Sequence, residues 1–198
     1  MTNGVKIEKL KNLAKIRTGI TLRQAIKPVD DGNAHVIQIK DLQDDNEINY
    51  QQVIKTALKN IKDDQLLRKG DILLRARGDN RNTALFDGEA YNYLAANQFL
   101  VISVNQNEVV PAYLQWFLNQ RPAQHYLKEN SAGTSIPYIQ ISALGDLEVA
   151  LPDVKKQQAI AQLQHLMSEE NKLYYQMQEN RKQMMKAIVS DILKESRI

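Results

Sequence analysis

The apolar positions in the last fifth of the chain recur at helical spacing. From about Val154 to Lys194 the sequence has neither Gly nor Pro, and it is rich in Gln, Lys, Glu, Met, Ala and Leu, which lose little rotamer freedom in a helix. Pro152 and Asp153 give a start signal, because a short carboxylate can accept hydrogen bonds from the first free N–H groups. The pattern therefore predicts one uninterrupted helix of roughly 60 Å at 1.5 Å per residue.

The same stretch carries an apolar stripe when it is divided into heptads from Ile160. Polar residues interrupt the stripe at Glu170, Arg181 and Asp191. A small domain cannot cover a stripe of this length, which predicts a partner helix; the alternative is a helix folded back over its own domain. The residues expected in the helix–helix contact are Ile160, Leu163, Met167, Leu173, Tyr174, Met177, Met184 and Ile188.

Short apolar runs separated by turn residues predict strands in the preceding part of the chain. The first run, Val5 to Ile16, is compatible with either a helix or a strand. The apolar character of Phe99–Val104 predicts burial on both faces, and Asp87-Gly88 predicts a hairpin turn. The predicted strands are His35–Ile39, Ile72–Leu74, Ala84–Phe86, Phe99–Val104 and a last one that ends the run Leu144–Leu151.

Two helices and several turns complete the predicted elements. Val110–Asn119 and Arg121–Glu129 each carry Pro near their first residue, where its missing N–H costs nothing. Gly70 allows a tight turn before the strand at 72–74, and we expect Gly19 to supply a backbone angle that other residues avoid. The acidic segment 42–49 is predicted to be exposed.

These elements predict an α+β fold with two parts. A strand-rich mixed domain occupies residues 1–151, and a long coiled-coil helix occupies residues 152–198. Hydrophobic content of 43% and charged content of 25% are ordinary for a globular protein. The chain has no Cys, which excludes disulfides and thiolate metal sites, and no apolar run approaches the length of a membrane span. We therefore expect a cytoplasmic location.

Charge is segregated locally, although the net charge is only +3. A loop that follows the strand at 72–74 holds three guanidinium groups, two amides and a hydroxyl around Gly78. Arg can pair with guanine, Asn with adenine, and Thr or Ser with either, so the loop has residue types that recognise bases. A solvated loop without a ligand is the alternative. The candidate DNA-contacting residues are Arg75, Arg77, Asn80, Arg81, Asn82 and Thr83.

A second loop, rich in small residues, offers a similar possibility. Small side chains let a backbone approach a phosphate closely, but they also form ordinary turns. The candidates here are Ser131, Thr134 and Ser135. Further candidates for phosphate or groove contact are Tyr138, Lys40 and Arg23.

The sequence argues against an enzyme. His35, His125 and His165 are scattered without metal-ligand spacing, and none lies beside a Ser in a nucleophile turn. Neither common phosphate-binding Gly-rich pattern is present, nor is an Asn-Pro-Pro-Tyr-like segment of adenine methyltransferases. We therefore expect no catalysis, no metal and no cofactor. A coiled-coil scaffold whose globular domain binds protein is the competing hypothesis.

Several motifs in this order resemble those of type I restriction–modification specificity subunits. They are the segment Leu10–Gly19, Lys69-Gly70-Asp71-Ile72-Leu73, Ala132-Gly133-Thr134-Ser135, Leu144, Leu147, Val149, Leu151-Pro152, and then Gln157 with Ile160. The resemblance covers nearly the whole chain. Two positions depart from the family pattern: Asp153, where a second Pro is frequent, and Lys156, where Glu is usual before Gln157.

The resemblance implies sequence-specific recognition of double-stranded DNA, with residues 1–151 as a target-recognition domain. Family members usually contain two such domains, each followed by a long helix, so this chain resembles a half-subunit. The implied partners are methylation subunits, which bring S-adenosylmethionine, and restriction subunits, which hydrolyse ATP; neither cofactor is expected to bind here. Because one recognition domain leaves the apolar stripe without a partner, we expect an antiparallel homodimer through the C-terminal helix.

Overall fold

The computed structural model describes residues 5–22, 26–43, 45–88, 92–105, 107–133 and 135–195. It divides into two compact units, residues 1–161 and 162–198. Arg23 and Thr134, two of the predicted DNA contacts, lie outside the described residues. Those two assignments remain predictions.

Strands dominate the first unit. The helices of the described residues are α1 (Leu10–Leu13), α2 (Pro111–Leu118), α3 (Arg121–Glu129), α4 (Ile141–Gly145) and α5 (Val154–Glu195). The strands in the same residues are β1 (Lys6–Lys9), β2 (Ala14–Thr18), β3 (Ala34–Ile37), β4 (Ile54–Thr56), β5 (Ile72–Arg75), β6 (Thr83–Leu85), β7 (Tyr93–Ala95), β8 (Phe99–Val104), β9 (Ser131–Ala132), β10 (Tyr138–Ile139) and β11 (Glu148–Leu151). This is the predicted α+β class.

Two sheets form the centre of the domain. An antiparallel sheet has the order β2-β8-β5-β6, and a second sheet has the order β4-β3-β7, in which β3 and β7 are parallel. Shorter antiparallel pairs join β1 to β11 and β9 to β10. The first sheet is therefore built from antiparallel neighbours, while the pair β3 and β7 brings together segments far apart in the sequence.

Alternate residues of the central strands belong to two apolar cores. In β8, Leu100 and Ile102 join the core that includes α2 and α3 residues such as Leu114, whereas Phe99 and Val101 join the core of the second sheet. Successive side chains of a strand point to opposite faces, so burial on both sides requires a continuous apolar run. The predicted two-sided burial is confirmed for Phe99–Ile102, whereas Ser103 and Val104 are half-buried.

Several local predictions need correction. Gly19 does not have a positive φ; among the described glycines that angle is found at Gly70, Gly78 and Gly133. Gly19 is needed for space instead, because a Cβ atom there would lie 2.1 Å from the Ala96 carbonyl oxygen. A steric restriction imposed by a distant strand leaves no local signal in the sequence.

The Asp87-Gly88 turn does not form the predicted hairpin. The strand before it, β6, pairs with β5, whereas the next strand, β7, pairs with β3 in the other sheet.

The acidic segment 42–49 is only partly exposed, since Leu42 and Ile48 are buried and form an antiparallel bridge. The run 144–151 begins inside α4 and becomes a strand only at Glu148.

The predicted long helix is confirmed over 42 residues, from Val154 to Glu195. Asp153 caps its start, because the Lys156 N–H donates to the Asp153 Oδ1 atom over 3.0 Å. The side chain of Gln157 is almost fully buried; its Oε1 accepts from the Val110 N–H over 2.9 Å and its Nε2 donates to the Pro152 carbonyl. The helix begins at Val154, two residues after the predicted domain boundary at 151/152. That domain boundary remains a proposal.

Candidate nucleic-acid interface

The loop between β5 and β6 is shaped by one glycine and one asparagine. Gly78 has φ +91°, and a Cβ atom at this position would meet nothing within 4 Å, so the glycine is required by its backbone angle. The Oδ1 atom of Asn80 accepts a hydrogen bond from the Asn82 N–H over 2.9 Å. This Asx-type bond closes the turn and leaves Arg77 and Asn80 exposed.

The two loops predicted to contact DNA are joined by backbone hydrogen bonds. The Gly78 N–H donates to the Pro137 carbonyl over 2.9 Å, and the Ile139 N–H donates to the Ala76 carbonyl over 3.0 Å. Arg77 and Tyr138 form an isolated antiparallel bridge between these segments. The structure thus brings together residues that are about sixty positions apart in the sequence, and it places Arg77 beside Tyr138.

Arg81 connects the same two loops from the inside. Only 3% of the residue is exposed, and its Nε and one terminal nitrogen donate to the Ser131 Oγ atom over 3.1 and 2.7 Å. Its other terminal nitrogen donates to the Ala76 carbonyl over 3.3 Å. Burial lowers the pKa of Arg81, while the charge of Asp79 raises it. A guanidinium held in this way stabilises the loops and cannot reach a base without leaving its partners.

Two more of the predicted contacts are buried. Thr83 has no exposed surface; its N–H donates to the Asn119 Oδ1 atom over 2.9 Å and its hydroxyl donates to the Gln115 carbonyl. Asn82 is 9% exposed, and its amide donates to the Gln43 carbonyl over 3.3 Å. These side chains fasten β6 to α2 and to the segment around Gln43, which argues against direct DNA contact in this conformation.

Arg75 and Lys40 lie on a third segment that borders the loop. One terminal nitrogen of the half-buried Arg75 donates to the carbonyls of Ile39 and Leu42, which are in or next to a 3-10 turn. Lys40 of that turn is exposed, with its Nζ atom 3.9 Å from the Asp41 Oδ1 atom. Arg75 therefore orders the segment, and Lys40 remains at the surface.

Five of the predicted DNA contacts have exposed side chains. They are Arg77, Asn80, Ser135, Tyr138 and Lys40. Arg75, Arg81, Asn82, Thr83 and Ser131 instead hold the loops in place. Sequence reasoning treated both groups alike, because the residue types that recognise bases are also those that cross-link a loop.

The residues predicted to form the helix–helix contact also fall into two groups. Ile160 is half-buried and packs against the apolar core that contains Leu114. It therefore belongs to the domain and not to a free surface. The other predicted positions are between 44% and 60% exposed. They are Leu163, Met167, Leu173, Tyr174, Met177, Met184 and Ile188.

Residues 3–179 match the family model of the type I restriction modification DNA specificity domain. The chain belongs to this family. It is 28% identical over 163 residues to the type I restriction enzyme MjaIX specificity subunit of Methanocaldococcus jannaschii, covering 78% of this chain and 36% of that protein. It is also 28% identical over 140 residues to the HindI specificity subunit of Haemophilus influenzae, covering 66% of this chain and 30% of that protein. The chain thus spans about a third of these curated relatives.

Solved specificity subunits share the fold of this family member. The S subunit from M. genitalium aligns with a TM-score of 0.59 at 17% identity, covering 85% of this chain and 40% of that one. The HsdS subunit from Thermoanaerobacter tengcongensis aligns with a TM-score of 0.64 at 16% identity, covering 87% and 44%. Within the described residues, the structure contains no helix with the length and apolar character that crossing a membrane requires.

Proposed function

We propose that this chain is a DNA-recognition module of a type I restriction–modification specificity subunit, without catalytic activity of its own. The observation that carries the proposal is the joining of two loops by Arg81, Gly78 and Ile139, which presents Arg77 and Tyr138 on one fixed scaffold. Membership of the specificity-domain family points to DNA as the ligand. Residues 1–151 form the recognition domain in this proposal, and residues 152–198 form the spacer and assembly helix.

The exposed side chains divide the work of recognition by their chemistry. Arg77 can donate two parallel hydrogen bonds to guanine or to a phosphate, and Asn80 can pair with adenine. Ser135 can donate or accept, while Lys40 provides a compact charge for a phosphate. With few phosphate contacts and a net charge of +3, the chain alone should bind DNA weakly and with marked salt dependence.

Assembly with methylation and restriction subunits follows from the same family assignment. Those subunits would supply S-adenosylmethionine-dependent methylation and ATP-dependent cleavage, so this chain would determine where they act. Among the described residues no group of His, Asp and Glu is placed to hold a metal ion. On the family membership of the chain, the role proposed for it is binding and positioning.

Self-association through α5 would place two DNA-recognition domains in one dimer. The exposed stripe from Leu163 to Ile188 lies on one helix and can pair with the same stripe of a second copy. An antiparallel pair has two-fold symmetry and uses one patch twice, which is the commonest closed arrangement. Two recognition domains at opposite ends would each contact one half-site, so the target would be an interrupted palindrome.

An exchange of recognition domains tests the proposal. Residues 1–151 are replaced by the corresponding domain of another specificity subunit, and the sequence methylated by the assembled complex is mapped. We expect the methylated sequence to change with the exchanged domain. An unchanged sequence would favour the scaffold hypothesis, in which the domain binds protein and DNA recognition resides elsewhere.

A further inference from the structure

One large apolar side chain is exposed beside the proposed DNA contacts. Ile136 is 65% exposed and lies between Ser135 and Pro137 in the turn that joins β9 to β10. Tyr138, which follows Pro137, is 41% exposed and forms the bridge with Arg77. Single exposed apolar residues are common on protein surfaces, so the backbone around Ile136 is what distinguishes it.

That backbone is held on both sides of the turn. Because Pro137 follows, Ile136 is sterically restricted to extended conformations. The Pro137 carbonyl accepts a hydrogen bond from the Gly78 N–H, and Ile139, only 3% exposed, fixes the end of the hairpin in the core. Across the turn, Gly133 has φ +95°, and a Cβ atom there would lie 3.1 Å from the Ile136 carbonyl oxygen. Backbone hydrogen bonds on the Pro137 side thus hold the segment that presents this apolar side chain to solvent.

We propose that Ile136 is a wedge that enters between two adjacent base pairs of the target duplex and unstacks them. Apolar side chains that enter a base step in this way kink the duplex and add specificity through the ease with which the step deforms. Arg77 supplies the charge complementarity, since it is exposed and its backbone forms the bridge that holds it beside Tyr138. The inference rests on the proposed function and adds to it a deformable base step within the recognised sequence.

Fluorescence of 2-aminopurine tests the wedge directly. Duplexes carry the sequence methylated by the assembled complex, with 2-aminopurine at each position in turn, and the full chain is added without the methylation subunit, so that no methyltransferase can unstack a base. We expect a fluorescence increase at one step. Ile136→Ala should abolish it and weaken binding roughly tenfold, because part of an apolar side chain is no longer buried. Ile136→Leu should retain the increase.

Ile7→Ala is the matched control, because Ile7 is 63% exposed and lies in β1. It should leave fluorescence and affinity unchanged. A parent chain that binds the methylated sequence without a fluorescence increase at any position overturns the wedge and leaves DNA recognition intact. A parent chain that does not prefer this duplex over a scrambled one overturns the proposed function itself. If Ile136→Ala binds DNA like the parent but no longer co-purifies with the methylation subunit, the side chain contacts protein, and the wedge is wrong.

Discussion

The domain buries most of its large apolar side chains, whereas the helix beyond residue 162 exposes them. In the domain, residues such as Leu73 and Phe99 are completely buried. In the helix, the large apolar residues from Leu163 to Leu193 are each between 44% and 71% exposed. Its polar contacts are surface pairs such as Lys182 with Glu179, at 2.6 Å, which contribute little to stability. The domain is therefore stabilised by its own packing, whereas the large apolar side chains of the helix are left exposed.

The largest effect that tests this contrast comes from one substitution made in both regions. Leu73→Ala removes a fully buried side chain and should lower the free energy of unfolding by about 2–5 kcal/mol. Leu163→Ala removes one that is 60% exposed and should change it by no more than roughly 0.5 kcal/mol when the chain is dilute and monomeric. Urea denaturation followed by the fluorescence of Trp116, the only Trp of the chain, measures the domain, and circular dichroism measures the helix.

The concentration of protein provides the control. If α5 pairs with a second copy, Leu163→Ala should become more destabilising as the concentration rises, whereas the effect of Leu73→Ala on the domain should not. Equal costs for the two substitutions in the dilute chain would show that Leu163 is covered by its own chain, and the contrast would be lost.

A similar contrast between covered and uncovered residues separates two arginines of one loop. Arg81→Met breaks three hydrogen bonds to Ser131 and Ala76 and should lower the free energy of unfolding by about 1–3 kcal/mol. Arg77→Met should leave the free energy of unfolding within roughly 0.5 kcal/mol of the parent. It should weaken binding to a duplex that carries the sequence methylated by the assembled complex by about 1–3 kcal/mol.

Arg121→Met is the charge control, because Arg121 is exposed on α3 and the substitution removes the same charge. Urea denaturation measures stability, and fluorescence anisotropy with labelled duplex measures binding. DNA binding that is lost in Arg121→Met as strongly as in Arg77→Met would point to net charge as the cause and would remove Arg77 from the interface.

Local sequence patterns predicted the elements whose signals are continuous along the chain. The absence of Gly and Pro predicted α5, and the apolar run of β8 predicted burial on both sides. Contacts between distant segments could not be predicted in this way: the parallel pair β3 and β7, and the close approach of Gly19 to Ala96, depend on the tertiary arrangement. A single sequence records which residues are present and only indirectly what they meet.

The candidate site shows the same limit for side chains. Arg77 and Arg81 are separated by four positions in one polar loop, yet one is exposed and the other is 3% exposed. Their difference arises from Ser131, which the fold places within hydrogen-bonding distance of Arg81 only. An isolated apolar residue in a loop has no periodicity, so the sequence gives no pattern for Ile136; the following Pro137 is the available signal.

A charge introduced into the exposed stripe of α5 should weaken a dimer formed through that stripe. Met177 is 51% exposed and lies near the middle of the stripe, where two antiparallel copies would meet. Met177→Lys places two charges at the two-fold axis and should weaken the dimer at least tenfold, about 1.4 kcal/mol. Sedimentation at micromolar concentration measures the dissociation constant. Gln176→Lys adds the same charge one position away, off the heptad stripe, and should have little effect.

A parent chain that is monomeric under these conditions would rule out the homodimer. The stripe would then be left for a helix of a different subunit. If Met177→Lys and Gln176→Lys weaken the dimer equally, the added charge determines association, and its position on the apolar stripe does not. Either result would leave the packing of the first unit unaffected, because its apolar cores lie within residues 1–161.

The smallest predicted effect concerns acidic groups, whose pKa values shift in opposite directions in the two regions. Burial raises the pKa of Asp41 in the domain, and the backbone hydrogen bond from Gln38 and the charge of Lys40 only partly oppose this. In the helix, the hydrogen bond from Lys182 and its charge lower the pKa of Glu179. A buried carboxyl with one oxygen that accepts no hydrogen bond destabilises the folded state when it is ionised, whereas an exposed carboxylate that accepts a hydrogen bond from a lysine stabilises it.

The sign of each pH dependence follows from these directions. The raised pKa of Asp41 means that its contribution to stability is complete below the unfolded-state pKa of about 3.9 and is lost as the pH rises through the folded value. Asp41→Asn should therefore stabilise the domain at pH 7, and its advantage over the parent should shrink as the pH falls towards 4. Glu179→Gln should slightly reduce helicity at pH 7 and low salt, and this difference should vanish in acid or high salt, because the pair is exposed. Denaturation followed at Trp116 and circular dichroism measure the two effects. An advantage of Asp41→Asn that grew in acid would show that attraction to Lys40 outweighs burial, since the carboxylate would then stabilise the fold.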